Sequence, residues 1–207
     1  MRVLREELAK FILSRLFGRF GINVITEYQL YKMPTRIDML AVCTRNQIES
    51  LRSQSCFIDF RMHNLLEYKS MRRSFNLEAY YLAISKAYAY MAQCNVEDLK
   101  EISIWALCER KPLKLMRKYG HIAEFTPVEG YAGIYRSDDK VPFYVLVMNE
   151  LEIEERNYVL LNFAGKERLE LYVRHLAERG LIEELRHAYL VNPHWVSEVI
   201  DVSMIRG

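Results

Sequence analysis

Hydrophobic and polar positions in the first third of the chain predict one helix and then three strands. An apolar stripe with helical spacing near the amino terminus predicts an amphipathic helix that ends near Gly18: Leu4, Leu8, Phe11, Ile12 and Leu16. Apolar and polar residues alternate over 24–31, and two more strands are predicted at 36–42 and 57–69. Pro34 marks the turn into the second strand, and the polar stretch 44–55 is predicted to be a long connection with a short helical turn at most.

The middle of the chain predicts a second helix, a core strand and a hairpin. Five residues at helical spacing predict a helix over 75–92 that packs on the sheet: Leu77, Tyr81, Ile84, Tyr88 and Met91. Residues 102–108 form the next predicted strand, a short basic helix ends at Gly120, and 132–135 with 141–148 predict a hairpin. From 150 to 200 the pattern is mainly helical, with breaks at Gly165 and Gly180.

Composition limits the class of protein without assigning a function. The chain has 207 residues, of which 51% are hydrophobic, so it can bury a substantial core. The formal net charge is only +2, so any surface for nucleic acid must be local. Four cysteines lack metal-site spacing and predict free thiols in a reducing compartment. Because no run of 18 apolar residues and no signal peptide are found, we expect a cytoplasmic protein without a membrane partner.

Candidate chemistry is concentrated in the second and third predicted strands. Asp38 interrupts the apolar run 37–42, and a charge inside a buried strand is seldom kept without a partner. Glu67 and Lys69 end the third strand two residues apart, so their side chains point to the same face. If the two strands are neighbours, the two acids lie close together and repel each other, which a hard cation relieves.

This pattern predicts a metal-dependent hydrolytic site. Asp38 and Glu67 would bind Mg²⁺ or Mn²⁺ together with the backbone carbonyl of Tyr68, and the ion would activate water and neutralise charge on a phosphate. Lys69 would stabilise the phosphate or position the attacking water. The alternative is a solvent-facing ion pair between Glu67 and Lys69, because a Glu-x-Lys triplet is common by chance.

The order of elements resembles a known nuclease superfamily. A helix, a strand, a strand with Asp38, a strand with Glu67-Tyr68-Lys69 and a helix resemble the PD-(D/E)XK superfamily, which includes restriction endonucleases and repair nucleases. The string 60–70, followed by Leu-Glu-Ala-Tyr-Tyr at 77–81, is similar to a bacterial branch near the transposase-associated, recombination-promoting nucleases. The resemblance covers residues 1 to about 110 and implies an endonuclease with Asp38, Glu67 and Lys69 as catalytic residues.

The resemblance also implies an architecture and partners. We expect an α/β, restriction-endonuclease-like core, a mixed β-sheet flanked by helices, over 1–149, and a helical carboxy-terminal extension over 150–207. The expected substrate is nucleic acid, with DNA favoured, and paired cleavage of two strands implies a homodimer. Glu7 in the first helix is a candidate auxiliary metal ligand, although a solvated carboxylate at the rim explains it as well.

Two groups of basic residues are candidate phosphate contacts. Arg72 and Arg73 follow the Glu-x-Lys strand, and a dense group follows the strand at 102–108: Arg110, Lys111, Lys114, Arg117 and Lys118. Solvated charged faces would use the same residues. Two rival functions therefore remain: a nucleic-acid-binding or regulatory protein on the same fold, and an interaction module unrelated to nucleases. Convergence of Asp38, Glu67 and Lys69 in one solvent-accessible place would favour the enzyme.

Overall fold

The computed structural model describes residues 2–29, 36–70, 74–137 and 139–205, and side chains from residue 6 onwards. Within these residues, seven strands are found: β1 (Asn23–Gln29), β2 (Arg36–Val42), β3 (His63–Lys69), β4 (Ile102–Cys108), β5 (Phe125–Pro127), β6 (Ile134–Ser137) and β7 (Phe143–Val147). The α-helices are α1 (Arg2–Gly18), α2 (Arg45–Gln54), α3 (Leu77–Cys94), α4 (Leu113–Lys118), α5 (Tyr158–Leu161), α6 (Lys166–Glu178), α7 (Ile182–Val191) and α8 (Pro193–Ser197). Pro34 lies outside the described residues.

The strands form one mixed, open sheet in the order β1-β2-β3-β4-β7-β6-β5. The β3–β4 and β4–β7 pairs are parallel, and the other pairs are antiparallel. All seven residues of β4 are buried, as expected for a central strand with both faces covered. The prediction of an α/β fold with a mixed sheet and flanking helices is confirmed.

Helices cover both faces of the sheet. On one face, α1, α2 and the helices after β7 share an apolar core with the sheet, in which Trp105 stacks on Tyr144 with ring centroids 4.3 Å apart. On the other face, α3 packs on the sheet, and Tyr80 stacks on Phe143 at 5.3 Å. Since the first core contains residues from both 1–149 and 150–207, the extension packs on the sheet, and its separation as a domain stays a prediction.

The polar stretch after β2 is a helix, so the prediction of a long connection was wrong. The Thr44 side chain accepts from the backbone N–H of Gln47, and the Thr44 N–H donates to the Gln47 side chain at 2.8 Å. These two reciprocal hydrogen bonds form a capping box at the start of α2. Ile48 and Leu51, one turn apart, are the buried residues of α2. Two buried residues in ten give too weak a periodic signal to identify a helix, but the cap identifies its start.

The helices α1 and α3 were predicted correctly, and their buried faces in part, since most of the described stripe residues pack against the core: Leu8, Ile12, Leu16, Leu77, Ile84 and Met91. In α3 the predicted stripe residues Tyr81 and Tyr88 are exposed, by 50% and 43%, whereas Tyr80, Ala83, Lys86, Ala87 and Tyr90 are buried. In α1 Phe11 is exposed, and Ala9, Leu13 and Phe17 are buried. Small alanines pack closely against the sheet, whereas a pattern search follows the larger side chains and so displaces the predicted face towards exposed aromatic residues.

The remaining elements agree closely with the sequence pattern. β6 and β7 form the predicted antiparallel hairpin, and α6 begins directly after Gly165, while α7 follows Gly180. The third strand is shorter than predicted, because 57–62 forms turns before His63. Among the described residues, no helix has the length and apolar character needed to cross a membrane.

Candidate active site

Glu67 and Lys69 lie at the carboxyl end of β3, on the sheet face that α3 covers. They share this face with Leu65, as strand alternation predicts. Glu67 is 5% exposed, and its Oε2 atom is 3.1 Å from Nζ of Lys69. The Lys69 side chain retains 18% exposure, so its ammonium reaches the boundary between core and solvent.

Asp38 reaches the same place from β2. The β2–β3 ladder ends at the Met39–Leu66 pair, and two residues further along β3 the Tyr68 N–H donates to Oδ2 of Asp38 at 3.1 Å. The carboxylate thus replaces the acceptor that a continuing strand would provide. Asp38 and Glu67 therefore meet across the gap where β2 leaves β3.

A break in the strand pleat explains how Asp38 is directed into this gap. Ile37 and Leu40 pack on the same sheet face although they are three residues apart, whereas strict alternation would put them on opposite faces. Glu27 of β1, which lies opposite Asp38 in the register, has a φ of 55°, in the left-handed region that residues other than glycine seldom adopt. The alternation of side chains between the two sheet faces is interrupted in both strands at this point. The Asp38 side chain is therefore directed towards β3, where it accepts from the Tyr68 N–H.

A second lysine completes the site from α3. Lys86 is 5% exposed, and its Nζ contacts Oε1 of Glu67 within hydrogen-bond distance. The sequence interpretation did not include Lys86 among the site residues. The sequence feature that could have identified Lys86 is its position in α3. It follows helical spacing with buried residues, namely Ala83, Ala87 and Tyr90, and a lysine on a buried face requires a buried acid as partner. We call Asp38, Glu67, Lys69 and Lys86 the four-charge cluster.

Electrostatics within the four-charge cluster disfavour ionised Asp38 and favour protonated Lys69. Burial, and after it the charge of Glu67, raise the pKa of Asp38 to about 6, against the opposing effects of Lys69, Lys86 and the Tyr68 N–H. Burial alone would lower the pKa of Lys69, but Glu67 and Asp38 outweigh it, so the pKa lies above its ordinary value.

The oxygen atoms at this site fit a hard divalent cation. Asp38 and Glu67 lie at the same end of β3, and in a strand the C=O of Tyr68 lies on the same side as its N–H, which donates to Asp38. Mg²⁺ is commonly bound by one or two carboxylates and completed by water. No group of three acidic, histidine or cysteine side chains suited to a metal occurs in the described part of the chain, so the protein would supply two carboxylates and a carbonyl.

Glu7 is placed in a different ion-pair group. Its carboxylate lies 3.0 Å from Nζ of Lys10, which is buried and also contacts Glu6 and Glu27. Burial alone would lower the pKa of Lys10, but the hydrogen bonds to Glu27 and Glu7 and the charges of these two carboxylates raise it. The role of Glu7 as an auxiliary metal ligand stays a prediction.

The basic residues after β4 begin at the edge of the sheet where β3, with Glu67 and Lys69, also ends. Lys69 pairs with Cys108 at the end of β4, and the exposed residues of α4 and the turn before it follow at this edge: Arg110, Lys114, Arg117 and Lys118. We call these four residues the basic surface. Lys111 is turned away from it, since its Nζ donates to the Tyr135 hydroxyl at 2.6 Å. Arg72 and Arg73 lie outside the described residues.

Comparisons with family models, curated proteins and solved structures found no match to this chain. Any functional assignment therefore depends on the residues and geometry of the four-charge cluster.

Proposed function

We propose that the protein is a metal-dependent nuclease that hydrolyses phosphodiester bonds in nucleic acid, with DNA as the expected substrate. The observation that carries the proposal is the convergence of Asp38, Glu67 and Lys69 at one end of β3. Two carboxylates held at one place attract a divalent cation, and a lysine beside them can contact a phosphate.

Each side chain has a distinct role in the proposed reaction. Asp38 and Glu67, with the Tyr68 carbonyl, would hold Mg²⁺ or Mn²⁺, and the chemistry that such an ion would supply is an activated water and neutralisation of charge on the scissile phosphate. Lys69, the more exposed lysine, stabilises the negative charge that develops on the phosphate. Lys86 holds Glu67 from the buried side and fixes the direction of its carboxylate.

The fold supports the same proposal. A helix, two antiparallel strands, a third strand with Glu67 and Lys69, and a covering helix follow in the order expected of a restriction-endonuclease-like core, with α2 inserted between β2 and β3. The basic surface after β4 offers phosphate contacts at the edge where β3 also ends. A homodimer, which would let two such sites cut two strands, is part of the proposal.

A non-catalytic nucleic-acid-binding or regulatory protein on this fold is the second candidate. The observation in its favour is that two acids and two lysines balance one another, with both lysines in contact with Glu67. A neutral cluster of this kind can also be a structural element of the core.

A divalent-metal titration separates the two candidates. Supercoiled, linear and single-stranded DNA are incubated with the protein and with Mg²⁺ or Mn²⁺, and cleavage is followed by electrophoresis. We expect cleavage that requires the metal and is absent in Glu67→Ala. Metal-independent binding without cleavage, or cleavage that persists in Glu67→Ala, would reject the nuclease in favour of the second candidate or a contaminant.

A further inference from the structure

A cavity of about 470 Å³ opens at the same edge of the sheet as the four-charge cluster. It lies between the loop 128–133 and the segment 150–152. Cys108, which pairs with Lys69, also pairs with Val147 at the end of β7, three residues before Glu150. Two strand spacings, about 10 Å, separate the ends of β3 and β7. A few nucleotides of a bound strand span that distance.

From this cavity we infer a binding site for one unpaired nucleobase of the substrate strand, of the kind that carries an exocyclic amine: cytosine, adenine or guanine. The inference rests on the proposed function and names the substrate feature that is recognised beside the cleavage site. The volume falls in the range of pockets for small ligands, about 300 to 1,000 Å³.

The cavity is built on a fixed loop. The Gly133 carbonyl accepts from the Val147 N–H at 2.7 Å, and a Cβ at Gly133 would lie only 2.8 Å from the Val147 carbonyl oxygen. The Tyr131 N–H donates to the Val128 carbonyl at 3.2 Å. Glycine at 133, with a φ of 78°, thus lets the loop lie against the end of β7. A site formed in advance loses little conformational entropy on binding.

An aromatic ring lines the cavity and can stack on a base. Tyr131 is half-buried, and the Arg156 guanidinium lies 4.7 Å from the centroid of its ring. The guanidinium covers one side of the ring, which also packs against the apolar core, and the part of the ring that lines the cavity can contact a base, since aromatic side chains are the usual platform for unpaired nucleotides. Tyr135 forms a second wall, supported by Lys111, whose Nζ is 4.0 Å from its ring centroid.

Carboxylates in the lining decide which part of a nucleotide enters. Glu150 and Glu152 line the cavity, so a phosphate would be repelled there and stay on the basic surface outside. Glu150 accepts from the Tyr135 hydroxyl and retains further acceptor positions, since a carboxylate has about four. Carboxylates accept from exocyclic amines such as cytosine N4, whereas thymine presents a carbonyl at that position.

Fluorescence anisotropy with labelled oligo-dC and oligo-dT tests the inference, with EDTA present to prevent cleavage. These two pyrimidine oligonucleotides differ at base position 4, where cytosine has an amine and thymine has a carbonyl. We expect oligo-dC to bind at least about fivefold more tightly, and Tyr131→Ala to lose about five- to a hundredfold in affinity for it, the range for one stacked base. Tyr131→Phe should bind like the wild type. Glu150→Gln should reduce the preference for dC over dT.

Tyr81→Ala is the matched control, because Tyr81 is 50% exposed on α3 and does not line the cavity. Thermal melting checks that each variant is folded, and Glu150→Gln provides an independent test if Tyr131→Ala is not. Equal affinity for oligo-dC and oligo-dT, or equal losses in Tyr131→Ala and Tyr81→Ala, would overturn the inference even if the protein cleaves DNA. Failure of the proposed function appears separately, as absence of metal-dependent cleavage in the titration above.

Discussion

Asp59, just before β3, and Glu67, near its end, each form ion pairs with two basic side chains, but only Glu67 also has a second carboxylate, that of Asp38, close to it. Asp59 accepts from Arg61 at 2.7 Å and from Arg52 at 3.1 Å, and the Tyr144 hydroxyl also donates to it. We call these residues the Asp59 network. Glu67 instead binds two lysines and meets Asp38, whose pKa it raises.

The difference indicates that the Asp59 network has a structural role, whereas the four-charge cluster is suited to catalysis. Guanidinium groups hold one carboxylate in a rigid, satisfied geometry, which stabilises the turn before β3. In the four-charge cluster the acids repel each other, and lysine ammoniums are mobile point charges. Proteins keep such unfavourable pairs where function requires them. We therefore expect substitutions in the two regions to have opposite effects.

The largest expected effect is on turnover. Lys69→Ala should lower the cleavage rate by about a hundredfold or more, the scale of one oriented electrostatic contact in a transition state. It should leave Mn²⁺ affinity nearly unchanged, because an ammonium is not a metal ligand. Cleavage rate and metal affinity measured in the same preparation test this. Lys100→Ala, an exposed lysine before β4, is the control, and equal rates in both variants would show that Lys69 has no catalytic role.

The second expected effect is on stability, and its sign differs between the two regions. Asp59→Asn puts an amide donor among the donors of the Asp59 network and should lower the free energy of unfolding by about 1 to 3 kcal/mol. Asp38→Asn removes a charge that the folded state disfavours and should raise it by about 2 kcal/mol at pH 8. Urea unfolding measures both. If Asp38→Asn instead lowered the free energy of unfolding, the four-charge cluster would be a stabilising structural element like the Asp59 network.

The pH dependence of stability follows from the raised pKa of Asp38. The folded state holds the proton up to a pKa of about 6, whereas the unfolded chain loses it near 3.8. Between these values the folded state binds more protons, so this carboxyl should make stability fall as pH rises through that window. Urea unfolding between pH 4 and pH 8 should show that the fall is absent in Asp38→Asn and retained in Asp59→Asn. A fall that remains in Asp38→Asn would assign it to another group.

The sequence was sufficient for the strands of the site and insufficient for its second lysine. Strand alternation placed Glu67 and Lys69 on one face, and the charge within an apolar run identified Asp38. Lys86 was considered as a residue that could face the cleft but was not selected for the site, because the predicted face of α3 was displaced towards two exposed tyrosines. Which helix residue faces a given strand depends on how the helix crosses the sheet, and that is a long-range property.

Local conformation also limited the prediction. The left-handed Glu27 and the change of pleat at Asp38 leave no trace in the alternation of residue types. Sequence alternation therefore predicted that Asp38 could meet Glu67 across neighbouring strands but not that it binds the Tyr68 N–H. In contrast, α2 carried a readable signal in Thr44 and Gln47, which a search for capping boxes would find.

The smallest expected effect concerns salt. If the basic surface contacts phosphates, Arg110→Gln and Lys114→Gln should each reduce the slope of log affinity against log salt by about one unit. Lys111→Gln should change the slope less, because Lys111 is occupied by Tyr135. Titrations of labelled DNA between low and physiological salt measure the slopes. Slopes equal to that of the wild type in the first two variants would place the nucleic acid elsewhere.

Calorimetry with Mn²⁺ tests the central claim most directly, because it requires no substrate and no turnover. Wild-type protein and the Asp59→Asn variant should bind the ion with the same affinity, and the double variant Asp38→Asn, Glu67→Gln should lose binding, while melting curves confirm that it is folded. Unchanged Mn²⁺ binding in the folded double variant, or no binding to the wild type, would contradict a metal site at the end of β3.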